Sequence, residues 1–127
     1  MIAADTNTWI AYLEGQSGED TVLLDQALTQ SQLLMPIVVL TELLSDPAMP
    51  PAVAGELCTV PLIEITQGYW ERAGRLRAKI LSMRRKARLG DALIAQSCLD
   101  RAVPLLTRDR DFRAFADAAG LQLVINR

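Results

Sequence analysis

Five carboxylates stand where this sequence can put them to chemical use. Asp5 directly follows the apolar run Ile2-Ala3-Ala4, and Asp109 lies just beyond the apolar run "VPLLT" at 103–107. Asp91 precedes Ala92-Leu93-Ile94-Ala95, Glu42 sits inside "PIVVLTELL", and Asp111 follows Asp109 by two residues. Carboxylate oxygens are what hard dications such as Mg²⁺ and Mn²⁺ prefer, with no need of His or Cys. Four carboxylates converging on one point would repel one another and raise their own pKa values unless a cation neutralised them. Such a cation lowers the pKa of its bound water and stabilises charge developing on a phosphate.

Each acid also has an ordinary explanation. Asp is among the best helix N-caps, which suits Asp5 before Thr6 or Asn7, Asp91 before its apolar run, and Asp111 before Phe112. Asp109 and Asp111 can pair with Arg108, Arg110 and Arg113 in a solvated turn. Glu42 is the odd residue, whose ordinary explanation is that it faces the single polar edge of its helix beside Thr41. Nearly all its neighbours are apolar, and no Lys or Arg occurs in residues 1–71 to give it a local i, i+4 partner. Its partner must be a distant Arg, a metal or water.

The rest of the composition removes alternatives. The chain has no histidine, which excludes Ser-His-Asp and Cys-His catalysis and His-ligated zinc. Its 50% hydrophobic and 22% charged residues describe a globular chain of 127 residues, read as a single domain, 1–127. No apolar run approaches the roughly 20 residues of a membrane span, and the acid at position 5 argues against a signal peptide. Cys58 and Cys98 have no metal spacing and read as buried free thiols, which implies a reducing, cytoplasmic setting. The net charge of −2 conceals an asymmetry. Residues 1–71 hold ten acids and no base, whereas 72–127 hold all thirteen bases and five acids. Such a division marks a nucleic-acid-facing surface unless the halves interleave in the fold.

The elements that must position the acids alternate. Strands are expected at "MIAA", "QLLMP", "PLIEI" (61–65), "VPLLT" and "LQLVI" (121–125). Helices are expected at 6–13, 19–30, 37–46, from Pro51, at 69–86, at 91–101 and from Phe112 to Gly120, with strand as the alternative at 37–46. In the long helix Tyr69, Ala73, Leu76, Ile80 and Met83 recur on one face. Strands separated by helices imply an α/β fold, a mostly parallel sheet of four to five short strands with helices on both faces. Ligands of such sheets gather at the carboxyl ends of strands, where Asp5 and Asp109 fall.

The segments "ADTNTW" (4–9), "VVLTELL" (38–44), "LGDALIAQS" (89–97) and "LLTRDRDF" (105–112) resemble the PIN-domain ribonucleases, and within them the VapC-type toxins of toxin–antitoxin pairs. The resemblance spans essentially the whole chain. It implies the PIN three-layer fold and places the metal-holding, catalytic acids on Asp5, Glu42, Asp91 and Asp109. Asp111 matches an assisting acid, and Thr6, Asn7 and Thr107 match polar positions near the site. It further implies Mg²⁺- or Mn²⁺-dependent endonucleolytic cleavage of RNA, a cognate antitoxin and a homodimer. Gly90 departs from the pattern, standing where bulkier residues are frequent; it puts no ligand in doubt.

RNA phosphates would be repelled by the acids and need a basic rim. Arg72, Arg75, Lys79 and Lys86 are expected as a stripe on the long helix, thickened by Arg84, Arg85 and Arg88. The six aromatic residues are expected in the core or an interface rather than as stacking platforms for bases. A signalling receiver domain would want a Lys after a late strand, where Arg108 stands, and a dehalogenase-type phosphatase would want an acid where Asn7 stands. A PIN module outside a toxin–antitoxin pair, or one that binds without cutting, is the nearer alternative; the four filled acid positions argue against the latter.

Overall fold

The computed structural model describes residues 1–126. In chain order they form β1 (Ile2–Ala4), α1 (Thr6–Leu13), α2 (Glu19–Thr29), β2 (Leu33–Leu34), α3 (Ile37–Leu44) and α4 (Pro51–Leu57). There follow α5 (Tyr69–Ser82), α6 (Leu89–Arg101), β3 (Leu105–Leu106), a 3-10 turn (Arg110–Phe112) and α7 (Arg113–Ala119). The strands pair in parallel in the order β2-β1-β3, with Ala3 opposite Leu34 and Leu105. Successive side chains of a strand point to opposite faces, and Ala3, Ala4, Leu105 and Leu106 are all fully buried. Both faces of the sheet are therefore covered, as a parallel α/β sheet requires.

The sheet is smaller than the four to five strands expected. Of the segments 61–65 and 121–125, each contributes a single parallel bridge, Leu62 to Met35 and Leu123 to Leu105. Each lies beyond an outer strand, so the spatial order holds. Pro61 has no N–H to extend the first ladder, and only its carbonyl is used, accepting from Met35 N at 2.8 Å.

Helix α3 resolves the ambiguity at 37–46. Val39 and Leu43, four apart, are buried in the common core. Helix α4 opens with Pro51 in its first turn. Helix α5 buries Tyr69, Ala73, Leu76 and Ile80 as the spacing predicts, but it ends at Ser82, so Met83 is its exposed C-cap and Lys86 lies beyond it. Arg84, with φ 59°, turns the chain away. The packing runs α2–α1–α3–α6–α5–α7. This brings the N-terminal ends of α1 and α6 beside the carboxyl end of the sheet.

Four aromatic rings, Trp9, Tyr69, Phe112 and Phe115, are buried as expected; Trp70 is 61% exposed and departs from that reading. Cys98 is buried, but Cys58 is exposed, because it caps the short surface helix α4 rather than facing the core. Among the described residues no helix is long and apolar enough to cross a membrane.

Candidate active site

Asp5 leaves β1 level with the end of β3, its backbone N–H bonded to the Leu106 carbonyl at 3.1 Å. It does cap α1, accepting the Thr8 N–H on Oδ1 at 2.9 Å, but this occupies one oxygen only. Oδ2 accepts the Thr107 hydroxyl at 2.6 Å. The cap and the site are thus two uses of one carboxylate. Asp5 is 2% exposed, and burial pushes its pKa up, opposed by these hydrogen bonds and reinforced by the charge of Asp109.

Thr107 also accepts the Asp109 backbone N–H at 2.9 Å, and Asp109 Oδ1 accepts the Asp111 N–H at 2.9 Å. Asp111 does not cap the following helix. Helix α7 begins at Arg113 without a side-chain cap, and Asp111 lies in the preceding 3-10 turn.

Asp91 is no cap either. Helix α6 starts two residues before it, with Arg88 in the cap position and no side-chain cap bond. Asp91 is an acid of the first turn, favoured there by the helix dipole, with its carboxylate free of the backbone. Burial, then the charge of Asp109, push its pKa up to about 6, with Asp5 and Asp111 adding to the shift and Arg88 opposing it. A carboxylate of Asp91, one of Asp109 and one of Asp111 each offer an oxygen within 4.8 Å of the others. Six oxygens around one small dication at about 2 Å each would span about 4 Å. The three acids therefore fit such an ion with small rotations, and their mutual repulsion supplies the reason to take one up.

Glu42 is exposed rather than buried; its helix turns the apolar neighbours inward and leaves it at the cleft. Its protein partner is not a distant Arg but the Thr6 hydroxyl, which donates to it at 2.8 Å, and its carboxylate lies against Gly90, 3.6 Å from where a Cβ would stand. Asp5, Thr6, Asn7, Glu42, Arg88 and Asp91 line one cleft of about 340 Å³. Of the four expected acids, Asp91 and Asp109 join Asp111 in the close three-acid group, whereas Asp5 and Glu42 stand outside that group and meet Asp91 in the cleft.

The basic stripe is largely spent inside the molecule. Arg72 forks onto Asp100 (2.7 and 3.0 Å) and so ties α5 to α6. Lys79 reaches the Ala118 carbonyl and Arg85 reaches Asp117. Lys86 pairs with Asp111 at 3.1 Å. Among the described residues, Arg75, Arg84 and Arg88 make no ion pair, and of these Arg88 lines the cleft. Arg108 does not neutralise Asp109 or Asp111; it forks onto Asp20 at 2.7 and 2.9 Å. Sequence reading gave Asp20 no role, since nothing in "EDTVLL" distinguishes it from a first-turn acid.

The PIN domain family matches residues 2–118. The chain belongs to this family. Ribonuclease VapC5 of Mycobacterium tuberculosis is 25% identical over 126 residues, covering 94% of this chain and 91% of the relative. The crystal structure of VapBC-5 from the same organism, a member of the VapBC family of toxin–antitoxin systems, superposes with a TM-score of 0.70 at 22% identity, covering 98% of both chains. FitAcB from Neisseria gonorrhoeae superposes with 0.67 at 18% identity, covering 94% of this PIN domain and 95% of that chain.

Proposed function

We propose that this PIN domain is a VapC-type toxin, a Mg²⁺- or Mn²⁺-dependent endoribonuclease acting as a single domain, 1–127, in the cytoplasm. A cognate antitoxin restrains it, and the active form is a homodimer. One observation carries the chemistry: Asp91, Asp109 and Asp111 bring one carboxylate oxygen each within 4.8 Å of the others, with Asp5 and Glu42 beside Asp91 in the adjoining cleft. A ribonuclease VapC among its relatives and VapBC among its structural neighbours support the biological setting.

Asp5, Glu42, Asp91 and Asp109 are the residues that would hold the ion, with Asp111 assisting. When bound, the ion supplies an activated water and a counter-charge for the phosphate under attack. The chain's own groups do the positioning. Thr107 and Thr8 fix both oxygens of Asp5. Thr6 holds Glu42 toward the α6 N-terminus, and Asn7 and Arg88 line the same cleft. Within the expected basic set, Arg88, Arg84 and Arg75 are in no ion pair among the described residues and are available to the incoming RNA backbone, and Lys86 can join them by releasing Asp111. Arg72, Lys79 and Arg85 remain in the proposed RNA-binding set through their charge, with their geometry fixed by internal partners.

The test is cleavage of a single-stranded RNA by the intact chain with Mg²⁺ or Mn²⁺. Cleavage abolished by chelation and by Asp5→Asn is the expected result. RNA bound but uncut in every divalent ion would leave a binding module. Cleavage without an antitoxin gene beside this one would leave a nuclease outside such a pair.

A further inference from the structure

We infer that Asp20 and Arg108 form a positioning pair that sets the spacing of the metal-holding acids, an assignment that rests on the metal-nuclease reading above. The two residues are 88 apart in sequence and meet through a bidentate contact, Nε to Oδ2 at 2.7 Å and Nη2 to Oδ1 at 2.9 Å. Gln16 accepts from the remaining guanidinium nitrogen at 3.0 Å. Asp20 is 4% exposed. An ionised carboxylate at that depth is kept only with a partner and further hydrogen bonds.

What the pair joins gives it significance. Arg108 lies between Thr107, which holds Asp5, and Asp109. Asp20 accepts the hydroxyl of Thr8 at 3.1 Å, and the N–H of that same Thr8 donates to Asp5. The ion pair therefore clamps the 5–8 segment to the 107–109 segment from behind, and each segment contributes an acid to the cluster. It also commits the guanidinium to Asp20 and Gln16, so that it forms no ion pair with Asp5 or Asp109 among the described residues.

The chain is built closely around this contact. A Cβ on Gly18 would stand 2.6 Å from Asp20 Oδ1 and 3.1 Å from the Arg108 guanidinium. Glycine at 18 leaves room for the pair at the start of α2. Outer partners of metal ligands typically carry a roughly 10- to 100-fold share of metal affinity.

The test is Mn²⁺ affinity, measured by electron paramagnetic resonance of the free ion, on the full chain and on Asp20→Asn, Arg108→Met and Arg108→Lys. Asp20 is buried and its variant can fail to fold, so the partly exposed Arg108 carries the test through variants whose folding is checked by circular dichroism. The expected result is Mn²⁺ binding weakened about 10-fold or more in Arg108→Met. Arg108→Lys should recover part of the loss, since it restores the charge without the fork. Folded Arg108 variants that melt earlier but bind Mn²⁺ within about twofold of the unaltered chain would overturn the inference and leave the pair a structural tie. An unaltered chain that takes up no Mn²⁺ would instead overturn the metal reading itself.

Discussion

Thr107 and Asp5 are 102 residues apart, yet the hydroxyl of one sits 2.6 Å from Oδ2 of the other, and both are buried. The same hydroxyl oxygen accepts the Asp109 N–H. One small side chain thus links the first acid of the site to the last. Its donor also opposes the burial of Asp5, holding that carboxyl's pKa below where desolvation alone would put it. Thr107→Val keeps the shape and removes the link, leaving the Asp5 oxygen and the Asp109 N–H unpaired. The expected cost is about 1–3 kcal/mol of stability by urea denaturation, with weaker Mn²⁺ binding. Thr107→Ser should restore both, and a Val variant as stable and as avid as the parent would refute the link.

The acid cluster predicts an unusual pH response of the metal-free protein. Asp91 has a folded pKa of about 6 against 3.8 unfolded. The folded state therefore binds more protons than the unfolded state between those values, and stability falls as pH rises through that window. Asp5 is displaced in the same direction. Asp20 and Asp100, held low by Arg108 and Arg72, act oppositely, and their stabilisation is lost only as pH falls below 3.8. In chelator, the melting temperature should rise on acidification from pH 7 toward about pH 4 and fall only below that, where Asp20 and Asp100 begin to protonate. Saturating Mg²⁺ should raise the melting temperature at pH 7 and flatten that rise. A metal-free melting temperature that declines steadily from pH 7 would contradict the crowding of these acids.

The sequence made the site more legible than its surroundings, and the reason is physical. An acid directly after an apolar strand has few places to go, so Asp5 and Asp109 were placed by position alone. Asp91 was legible as a helix-start acid, although α6 begins earlier and spares it from capping. Glu42 stood out for its apolar neighbours, and its ordinary reading, the polar edge beside Thr41, is where the helix puts it: a helix turns by 100° per residue, so buried Val39 and Leu43 leave Glu42 in solvent. The internal partners of the basic stripe were not legible, because charge on a helix face says nothing of what it packs against. Asp100 and Asp117, the acids that bind Arg72 and Arg85, lie on α6 and α7. Asp20 was invisible, since its meaning depends on Arg108, 88 residues away. The outer strands were legible in place but not in extent, because hydrogen-bonded length depends on the neighbouring chain.

Gly90 offers a stability prediction of the opposite sign to most. It lies in the first turn of α6, where the nearest atoms to a Cβ would be those of the Glu42 carboxylate at 3.6–3.8 Å, an ordinary contact distance. Glycine in a helix costs up to about 1 kcal/mol relative to alanine. Gly90→Ala should therefore raise the melting temperature, with a gain of about 0.5 kcal/mol by denaturation. It should leave Mn²⁺ affinity near that of the parent, since the methyl displaces no ligand oxygen. A loss of stability would show that the α6 N-terminus needs the closer approach that glycine permits.

The division of the basic residues into tied and free sets gives the sharpest test of how RNA is held. Arg88 lines the cleft and Arg84 lies four residues before it, neither in an ion pair among the described residues, whereas Arg85 is bound to Asp117 at 2.9 Å. Each phosphate contact on a single strand adds about 0.7 to the slope of log affinity against log salt. Arg84→Gln with Arg88→Gln should lower that slope by about one to one and a half and weaken binding of single-stranded RNA of any sequence, measured on the Asp5→Asn background to prevent cleavage. Arg85→Gln should change the slope little, because its guanidinium already has a carboxylate and would have to surrender it. If Arg85 moves the slope as much as Arg84 and Arg88 together, the Asp117 pair opens on binding and RNA follows the face of α5 toward α7 instead of the α6 N-terminus.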